Sequence, residues 1–288
     1  MYPKQFEYFE PTSISEAIKI LENHESSKIL AGGQSLIPLM KARITDIPCL
    51  VSLARVPDLS YIKRDGDAIA IGSMTLDSDL EYSKEITDNF AVFHDALLHL
   101  ADPLIRNMGT IGGNISHGDP SNDLPSVALA LGATMKIEGS AGSREVSADD
   151  FFVDTFTTAI KSGEVLTEIR FPLWHGSSGG AYVKSRKGTA DFSIATVATQ
   201  IELNGKKCER IRIAMSSVAP TPVRARKAET FLTGNEINDD AIKMAAELVV
   251  DDASPTSDLM GTADFKLSIL KKTAKESIRR AYNRATGV

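Results

Sequence analysis

The sequence predicts an α+β fold, in which a longer N-terminal part of mixed strands and helices precedes a smaller part of antiparallel strands and helices. Three observations support this prediction. Short apolar strands and amphipathic helices follow one another through residues 12–171. The strong turn signal Asn204-Gly205 separates two apolar segments that have the length of strands. From about residue 225 to the end, apolar residues recur at helical spacing.

The first predicted element is an amphipathic helix over 12–24. Apolar residues from Ile14 to Leu21 share one face, and Thr12 or Ser13 provides the cap. The short strands that follow in the N-terminal part are predicted at 28–30, 49–53, 68–72, 134–138 and 165–171. The helices between them are predicted at 36–43, 75–83, 90–100 and 124–131.

The C-terminal part is predicted to contain one hairpin and three helices. Its strands are 193–203 and 208–218, and its helices are 225–232, 239–250 and 263–282. Proline and clustered small residues in 172–180 predict a linker or an exposed loop. This segment places a domain boundary between 1–175 and 176–288.

Two glycine motifs are the main chemical signal. The first is Ala31-Gly32-Gly33-Gln34-Ser35, and the second is Thr110-Ile111-Gly112-Gly113-Asn114. Glycine permits positive φ and close approach of a ligand to the backbone, and consecutive exposed N–H groups form an anion-binding concavity. Two such motifs suit a diphosphate held from both sides, which indicates a dinucleotide. The alternative is that both are tight turns without a ligand.

The first motif has a further feature. Ser35 is predicted to cap the helix over 36–43, in which Pro38 fits only within the first turn. Neither motif has the Gly-x-Gly-x-x-Gly spacing of a Rossmann fold or the Lys-Ser/Thr of a P-loop. A standard NAD or ATP fold is therefore disfavoured.

The composition restricts the class of protein. The 288 residues are 42% hydrophobic and 24% charged, which is typical of a globular protein with a substantial core. The net charge of −6 disfavours nonspecific nucleic-acid binding. No apolar run is long enough for a transmembrane segment, and a cytoplasmic location is the default expectation. The two cysteines, Cys49 and Cys208, are too few for an iron–sulfur cluster, and the five histidines lack metal-ligand spacing.

With these motifs in order, the chain resembles the FAD-binding medium subunit of molybdenum hydroxylases. The resemblance covers essentially the whole chain and also includes Phe6–Pro11, Ala101–Gly109 and His117–Pro125. It implies a two-lobed FAD-binding domain of the PCMH type, with lobes of about 1–55 and 56–175. A C-terminal domain of antiparallel strands and helices completes the flavin pocket.

The resemblance also implies the cofactors and the partners. FAD is expected in this chain, whereas a large subunit carries the molybdopterin and a small subunit carries two [2Fe-2S] clusters. The chain then passes electrons from those clusters through FAD to an external acceptor, commonly in a dimer of heterotrimers. No catalytic acid or base and no metal ligand is expected in this chain.

The residues expected at the cofactor come from the two motifs and from matching family positions. They are Ile29, Leu30, Ala31, Gly32, Gly33, Gln34, Ser35, Leu36, Thr110, Ile111, Gly112, Gly113, Asn114, Asp123, Ile169, Lys187 and Phe192.

Several of these residues have a second interpretation. Asp123 is expected to accept hydrogen bonds from ribityl or ribose hydroxyls, or else to cap the helix before Leu124. Phe192 lies in the stretch 184–195, which covers the isoalloxazine ring in the family, and its alternative is an ordinary core aromatic. Lys184 or Lys187 stabilises anionic reduced flavin, or is a solvated surface lysine.

Other polar residues near the second motif also carry expectations. Asp102 and Arg106 are candidates for a local ion pair, and Arg106 is alternatively a support for the phosphate or for a partner surface. His117 is a candidate for approach to the flavin.

Two other functions are kept beside the electron-transfer subunit. One is a self-contained FAD-dependent oxidase or dehydrogenase with its own substrate pocket. The other is a non-catalytic scaffold or binding module, whose glycine motifs are turns only. The first requires activity without partners, and the second requires a colourless protein that FAD does not affect.

Overall fold

A computed structural model describes residues 2–188 and 191–287 of the chain. The helices in these residues are α1 (Ile14–Asn23), α2 (Leu36–Lys41), α3 (Asp77–Tyr82), α4 (Lys84–Thr87), α5 (Ala91–Leu97), α6 (Pro103–Arg106), α7 (Ile111–His117), α8 (Asp123–Leu131), α9 (Ala148–Phe151), α10 (Arg226–Leu232), α11 (Asp239–Leu248) and α12 (Ala263–Thr286), with a 3₁₀ helix at Val249–Asp252. The strands are β1 (Glu7–Phe9), β2 (Lys28–Leu30), β3 (Cys49–Ser52), β4 (Ile62–Asp65), β5 (Ala68–Gly72), β6 (Thr134–Gly139), β7 (Gly142–Ser147), β8 (Phe152–Asp154), β9 (Thr157–Thr158), β10 (Val165–Pro172), β11 (Ser177–Arg186), β12 (Ser193–Asn204), β13 (Lys207–Ser216) and β14 (Val223–Arg224).

The described strands form four sheets. A small parallel sheet has the order β1-β3-β2, and an antiparallel sheet of five strands has the order β4-β5-β10-β6-β7. A further antiparallel sheet has the order β11-β12-β13-β14, and β8 pairs with β9. With twelve helices among these strands, the α+β prediction is confirmed.

The N-terminal end of the chain is built by α1 and the parallel sheet. The Ser13 side chain accepts a hydrogen bond from the Glu16 backbone N–H, so Ser13 is the cap. The apolar face of α1, with Ala17 and Leu21, packs in one core with Cys49 and its strand β3. The amphipathic pattern therefore specifies both the helix and the face that it buries.

The four-stranded sheet joins the two parts of the chain because both of its faces are buried. On one face, Tyr182 belongs to the core of α5, α8 and the five-stranded sheet. On the other face, Val197 packs in one core with α10, α11 and α12, where Leu270 is fully buried. Residues 193–201 of β12 are buried without interruption, as expected for a central strand covered on both sides.

The segment 172–180 is not a linker, which corrects the sequence prediction. Strand β11 begins at Ser177 and includes Gly179 and Gly180. A Cβ on Gly179 would lie 2.3 Å from the backbone oxygen of Ala281, and one on Gly180 would lie 3.0 Å from Cβ of Val92. The glycines are required because α12 and α5 pack closely on the strand. The domain division at 175/176 and the lobe division near 55 stay predictions.

A charge cluster also connects the two parts. Asp149, on α9, accepts hydrogen bonds from Arg212, Arg224 and Arg226 at 2.8–3.3 Å. Burial alone would raise the pKa of Asp149, but the hydrogen bonds and charges of Arg212 and Arg224 lower it below its usual value. No helix in the part of the chain described here has the length and apolar character needed to cross a membrane.

We predict that Gly179→Ala destabilises the protein. Its methyl group would collide with backbone atoms of α12, which cannot move aside like a side chain, and overpacking of this kind costs about 1–3 kcal/mol. Urea unfolding of the full chain measures the loss. Ser177→Ala, at the exposed start of the same strand, is the control. Equal stabilities for the two variants would contradict the close packing of β11 on α12.

Candidate cofactor site

The two glycine motifs lie against each other in the structure. A Cβ on Gly32 would lie only 1.9 Å from the backbone oxygen of Met108 and 2.9 Å from Cα of Gly109, just before the second motif. A Cβ on Gly113 would lie 3.4 Å from Cβ of Ala31. The glycines thus permit direct contact between the two motifs, in addition to any contact with a ligand.

The first motif turns sharply after β2. Gly33 has a φ of 72°, a conformation that favours glycine. Helix α2 then begins at Leu36 with Pro38 in its first turn, as predicted. However, the Ser35 side chain makes no capping hydrogen bond, because Ser35 already has helical backbone angles (φ −106°, ψ −46°). The predicted Ser35 cap is therefore wrong, and this residue is exposed at the turn.

The second motif is the start of a helix. Thr110 caps α7, and its hydroxyl accepts a hydrogen bond from the Gly113 N–H at 3.1 Å. The side chain of Ile111 is fully buried. A Cβ on Gly112 would lie 2.5 Å from the backbone oxygen of Ser73. Ile111 and Gly112 therefore fix the base of the motif, and Ile111 can reach a ligand only through its backbone.

A cleft of about 820 Å³ extends along the first motif. The motif residues Ala31–Gln34 line it together with Leu30, Met108 and the side chain of Lys41. Lys41 is its one charged lining residue among those described, and no carboxylate lines it. This lining suits an anionic ligand better than a cationic one.

Asn114 supplies a polar group without a partner beside the second motif. Its Oδ1 atom is buried and has no hydrogen-bond partner within the described structure. Its backbone oxygen accepts a hydrogen bond from the Asn122 side chain at 3.0 Å, which connects the motif to the start of α8. A buried, unpaired acceptor is costly, so Asn114 fits a ligand that brings a donor such as a hydroxyl. Together with the positive φ of Gly33, this arrangement fits a bound dinucleotide.

Asp123 is the first residue of α8 and is 5% exposed. Its carboxylate accepts a hydrogen bond from the Tyr182 hydroxyl, and the Lys184 ammonium lies 2.8 Å from its Oδ2. The helix cap is Asn122, so the capping interpretation of Asp123 is wrong. Burial raises the pKa of Asp123, while Lys184 and Tyr182 oppose this effect.

The position of Lys184 corrects one interpretation of the sequence. Its side chain is only 4% exposed, so it is not a solvated surface lysine. Tyr182 was not identified from sequence, although it lies two residues before Lys184 and so shares its face of β11. Burial and the neighbouring Asp123 carboxylate raise the pKa of Tyr182, which keeps the phenol protonated.

In the stretch 184–195, Thr189 and Ala190 lie outside the described residues. Lys187 is exposed, and its Nζ donates to the backbone oxygen of Leu259 at 2.9 Å. Phe192 is 60% exposed, so it is not a core aromatic. An exposed ring of this size is available to cover a ligand.

Ile169 differs from the other candidates because it is fully buried within β10, between Ile71 of β5 and Met135 of β6. Its side chain belongs to the core, and the sheet rather than the cleft explains its burial. Three of the remaining candidates are half-buried: Ile29, Leu30 and Leu36. Gln34 is exposed, and its side-chain amide donates a hydrogen bond to the backbone oxygen of Gly32 at 2.9 Å.

The predicted pair of Asp102 and Arg106 is not formed. Asp102 caps α6 by accepting hydrogen bonds from the backbone N–H groups of Leu104 and Ile105. Arg106 is buried and binds Glu81 at 2.8 Å. His117, at the end of α7, is half-buried beside Phe156, and burial lowers its pKa. No group of three or more potential metal ligands occurs within residues 2–188 and 191–287.

Two family profiles match the chain. One, described as the FAD binding domain in molybdopterin dehydrogenase, matches residues 4–174. The other, described as the CO dehydrogenase flavoprotein C-terminal domain, matches residues 180–283. Together they cover both parts of the chain in the expected order, which confirms the resemblance seen in the sequence.

Individual relatives match over the whole length. The carbon monoxide dehydrogenase medium chain of Hydrogenophaga pseudoflava is 37% identical over 285 residues, 99% of each chain. The glyceraldehyde dehydrogenase medium chain of Sulfolobus acidocaldarius is 36% identical and covers 94% of this chain and 96% of its own. The solved structure of the Hydrogenophaga pseudoflava carbon monoxide dehydrogenase superposes with a TM-score of 0.97 at 38% identity, over 99% of each chain.

We predict that Lys184→Met destabilises the protein more at pH 8 than at pH 5.5. Removing the ammonium leaves Asp123 as an unpaired buried charge, which costs about 3–5 kcal/mol. The substitution raises the pKa of Asp123 in the folded state further. The folded variant is therefore stable at low pH, where the Asp123 carboxyl is protonated, and loses stability as the pH rises.

Urea unfolding at the two pH values measures this difference. Lys207→Met makes the same change at an exposed lysine of β13 and serves as the control. A Lys184→Met loss that is the same at both pH values would show that Asp123 is not the group left unpaired.

Proposed function

Since the chain belongs to the family of FAD-binding medium chains of molybdopterin dehydrogenases, we propose that it holds FAD across its two glycine motifs and passes electrons from [2Fe-2S] clusters of a partner subunit to an external acceptor. The chain is an FAD-dependent oxidoreductase subunit. The observation that carries the proposed site is the direct contact between Gly32 and the backbone at Met108, which brings both motifs to one place.

The diphosphate is proposed to lie between the motifs. The turn at Gly33 offers backbone donors, and Lys41 adds a positive charge in the cleft. The N–H groups of residues 111–114 already have acceptors within the protein, so the second motif contributes its close backbone approach at Gly113 and the side chain of Asn114. The Thr110 hydroxyl accepts the Gly113 N–H, which fixes the backbone of the second motif before a ligand arrives. Gln34 and Ser35 are exposed at the turn and supply further neutral donors.

Asp123 is proposed to accept hydrogen bonds from the ribityl or ribose hydroxyls. Each of its oxygens has one protein partner, Tyr182 or Lys184, and a carboxylate oxygen can accept more than one hydrogen bond. Tyr182 and Lys184 thus orient the carboxylate and balance its charge. Asn114, with its unpaired Oδ1, is the second acceptor for these hydroxyls.

Phe192 and Lys187 are proposed to flank the isoalloxazine ring. The apolar ring of Phe192 excludes water from one flavin face, and the Lys187 ammonium favours an anionic reduced state. When bound, FAD supplies the chemistry of accepting and releasing one or two electrons. The residues of this chain bind the cofactor, shield it and control access to it.

The other redox groups are proposed to lie in partner subunits. Cys49 and Cys208 are buried in separate cores on β3 and β13, and burial raises the pKa of both thiols, that of Cys208 to about 12. Two such thiols do not supply the four thiolates of a cluster. We therefore propose a large molybdopterin subunit and a small [2Fe-2S] subunit, assembled with this chain as a dimer of heterotrimers in the cytoplasm.

We predict that Gly33→Val and Gly113→Val abolish FAD retention. A side chain at Gly33 opposes its φ of 72° and meets Ile37 and Leu30, and one at Gly113 enters the space between the motifs. FAD per chain is measured from the visible absorbance after desalting and from FAD released by heat. Gly66→Val has similar backbone strain (φ 61°) with nothing within 4 Å of the new Cβ, and it should retain FAD. Normal flavin content in both motif variants, Gly33→Val and Gly113→Val, would exclude the two-motif site.

The presence of the partner subunits and their redox groups is tested on the complex itself. The complex purified from its source through a tag on this chain should contain molybdenum and roughly four iron atoms per FAD, as two [2Fe-2S] clusters require. The isolated chain with FAD should not be reduced by carbon monoxide or glyceraldehyde, because the substrate site is in another subunit. Turnover of a small molecule by the isolated chain would instead favour a self-contained oxidase or dehydrogenase.

A further inference from the structure

Asp77 lies directly beneath the second glycine motif, at the first residue of α3. Its backbone N–H donates to the oxygen of Gly109 at 2.9 Å, and the neighbouring Leu76 forms a β-bridge with Thr110. A Cβ on Gly109 would lie 2.5 Å from Oδ2 of Asp77. The carboxyl group therefore packs against residues 108–110. This segment contacts Gly32 at Met108 and ends at Thr110, the cap of α7.

The surroundings of the Asp77 carboxyl are unusual for a charged group. The residue is 2% exposed, and its Oδ1 has no hydrogen-bond partner within the described structure. Burial raises its pKa to about 7, and the Arg106 charge opposes this effect. Arg106 is itself committed to Glu81 and to the backbone oxygen of Leu100. Other titratable side chains lie on α3, on the helices that pack against it and at the cap of α6. They are Asp79, Glu81, Tyr82, Lys84, Glu85, His94, Asp95 and Asp102.

An ionised Asp77 is unfavourable here for two reasons. Its unpaired oxygen would be a desolvated negative charge without compensation. It would also repel the diphosphate that the proposed function places at the second motif, since both charges lie close to the same backbone segment. A neutral carboxylic acid carries no charge, so it avoids the repulsion and the much larger desolvation penalty of the ionised form.

We propose that Asp77 is a positioning residue that supports the second glycine motif as a neutral acid, so that FAD binding requires a proton on Asp77. This inference rests on the proposed placement of the diphosphate. It follows that the bound state favours the protonated form, and that FAD binding takes up a proton near neutral pH. The dissociation constant should rise by up to about tenfold for each pH unit above 7.

The test is FAD binding to the full chain, freed of flavin, between pH 6.5 and 9. Calorimetry in two buffers of different ionisation enthalpy gives the number of protons taken up, and flavin fluorescence gives the affinity. Burial lowers the pKa of His117, which moves the titration of this imidazole toward acid pH and away from this range. The wild type should take up a proton and bind more weakly as the pH rises. Asp77→Asn should bind with little dependence on pH and no proton uptake.

Asp79→Asn is the matched control, because Asp79 is exposed on the same helix, and it should behave like the wild type. Binding by the wild type without proton uptake would overturn the role of Asp77 and leave the proposed cofactor site intact. An equal pH slope in Asp77→Asn, or complete loss of binding at every pH by a folded variant, would also overturn it. If Asp77→Asn does not fold, proton uptake by the wild type decides. Failure of the wild type to bind FAD at any pH would refute the proposed site itself.

Discussion

The close approach of two backbone segments at Gly32 and Met108 determines the geometry of the cofactor site. A gap of 1.9 Å between a hypothetical Cβ and the Met108 oxygen leaves no room for any side chain at residue 32. Because of this contact, the turn after β2 and the start of α7 form one surface. On the opposite side, Gly109 touches Asp77, so the segment 108–110 is held between the first motif and α3.

The chain has a net charge of −6 and nevertheless binds a dinucleotide with a negatively charged diphosphate. The local distribution of charge resolves this apparent conflict. The described lining of the cleft contains the positively charged Lys41 and no carboxylate. The buried Asp123 is paired with Lys184, and burial raises the pKa of Asp77 to about 7, so Asp77 is only partly ionised at neutral pH. The acidic excess therefore lies elsewhere in the molecule.

Local signals predicted the elements that depend on local interactions. Ser13 caps α1 as expected, and the hairpin turn follows Asn204, the last residue of β12, and begins at Gly205. The errors arose where a distant partner competes with a neighbour. Arg106 binds Glu81, 25 residues away, instead of Asp102, which caps its own helix. Gly179 looks like a linker residue in sequence, and only the packing of α12 shows that the strand needs it.

The candidate site was predictable to a similar extent. The first glycine motif contains its own turn residue, Gly33, and the second its own cap, Thr110, so sequence alone identified both motifs. Their contact, and the partners of Asp123, depend on strands that lie far apart in the chain. Tyr182 and Lys184 were not identifiable as a pair with Asp123 because they are about 60 residues away from it (|i−j| of 59 and 61).

The Asp123 cluster connects the C-terminal part to the proposed cofactor site. Asp123 begins α8 in the N-terminal part, whereas Tyr182 and Lys184 lie on β11. While the two parts stay packed together, loss of the ammonium would leave a buried carboxylate without its partner, which is far more costly than losing a surface ion pair. The same strand continues to Lys187, beside the stretch with the exposed Phe192. Thus the ion pair that is proposed to orient Asp123 toward the cofactor also fixes the position of the segment proposed to cover the flavin ring.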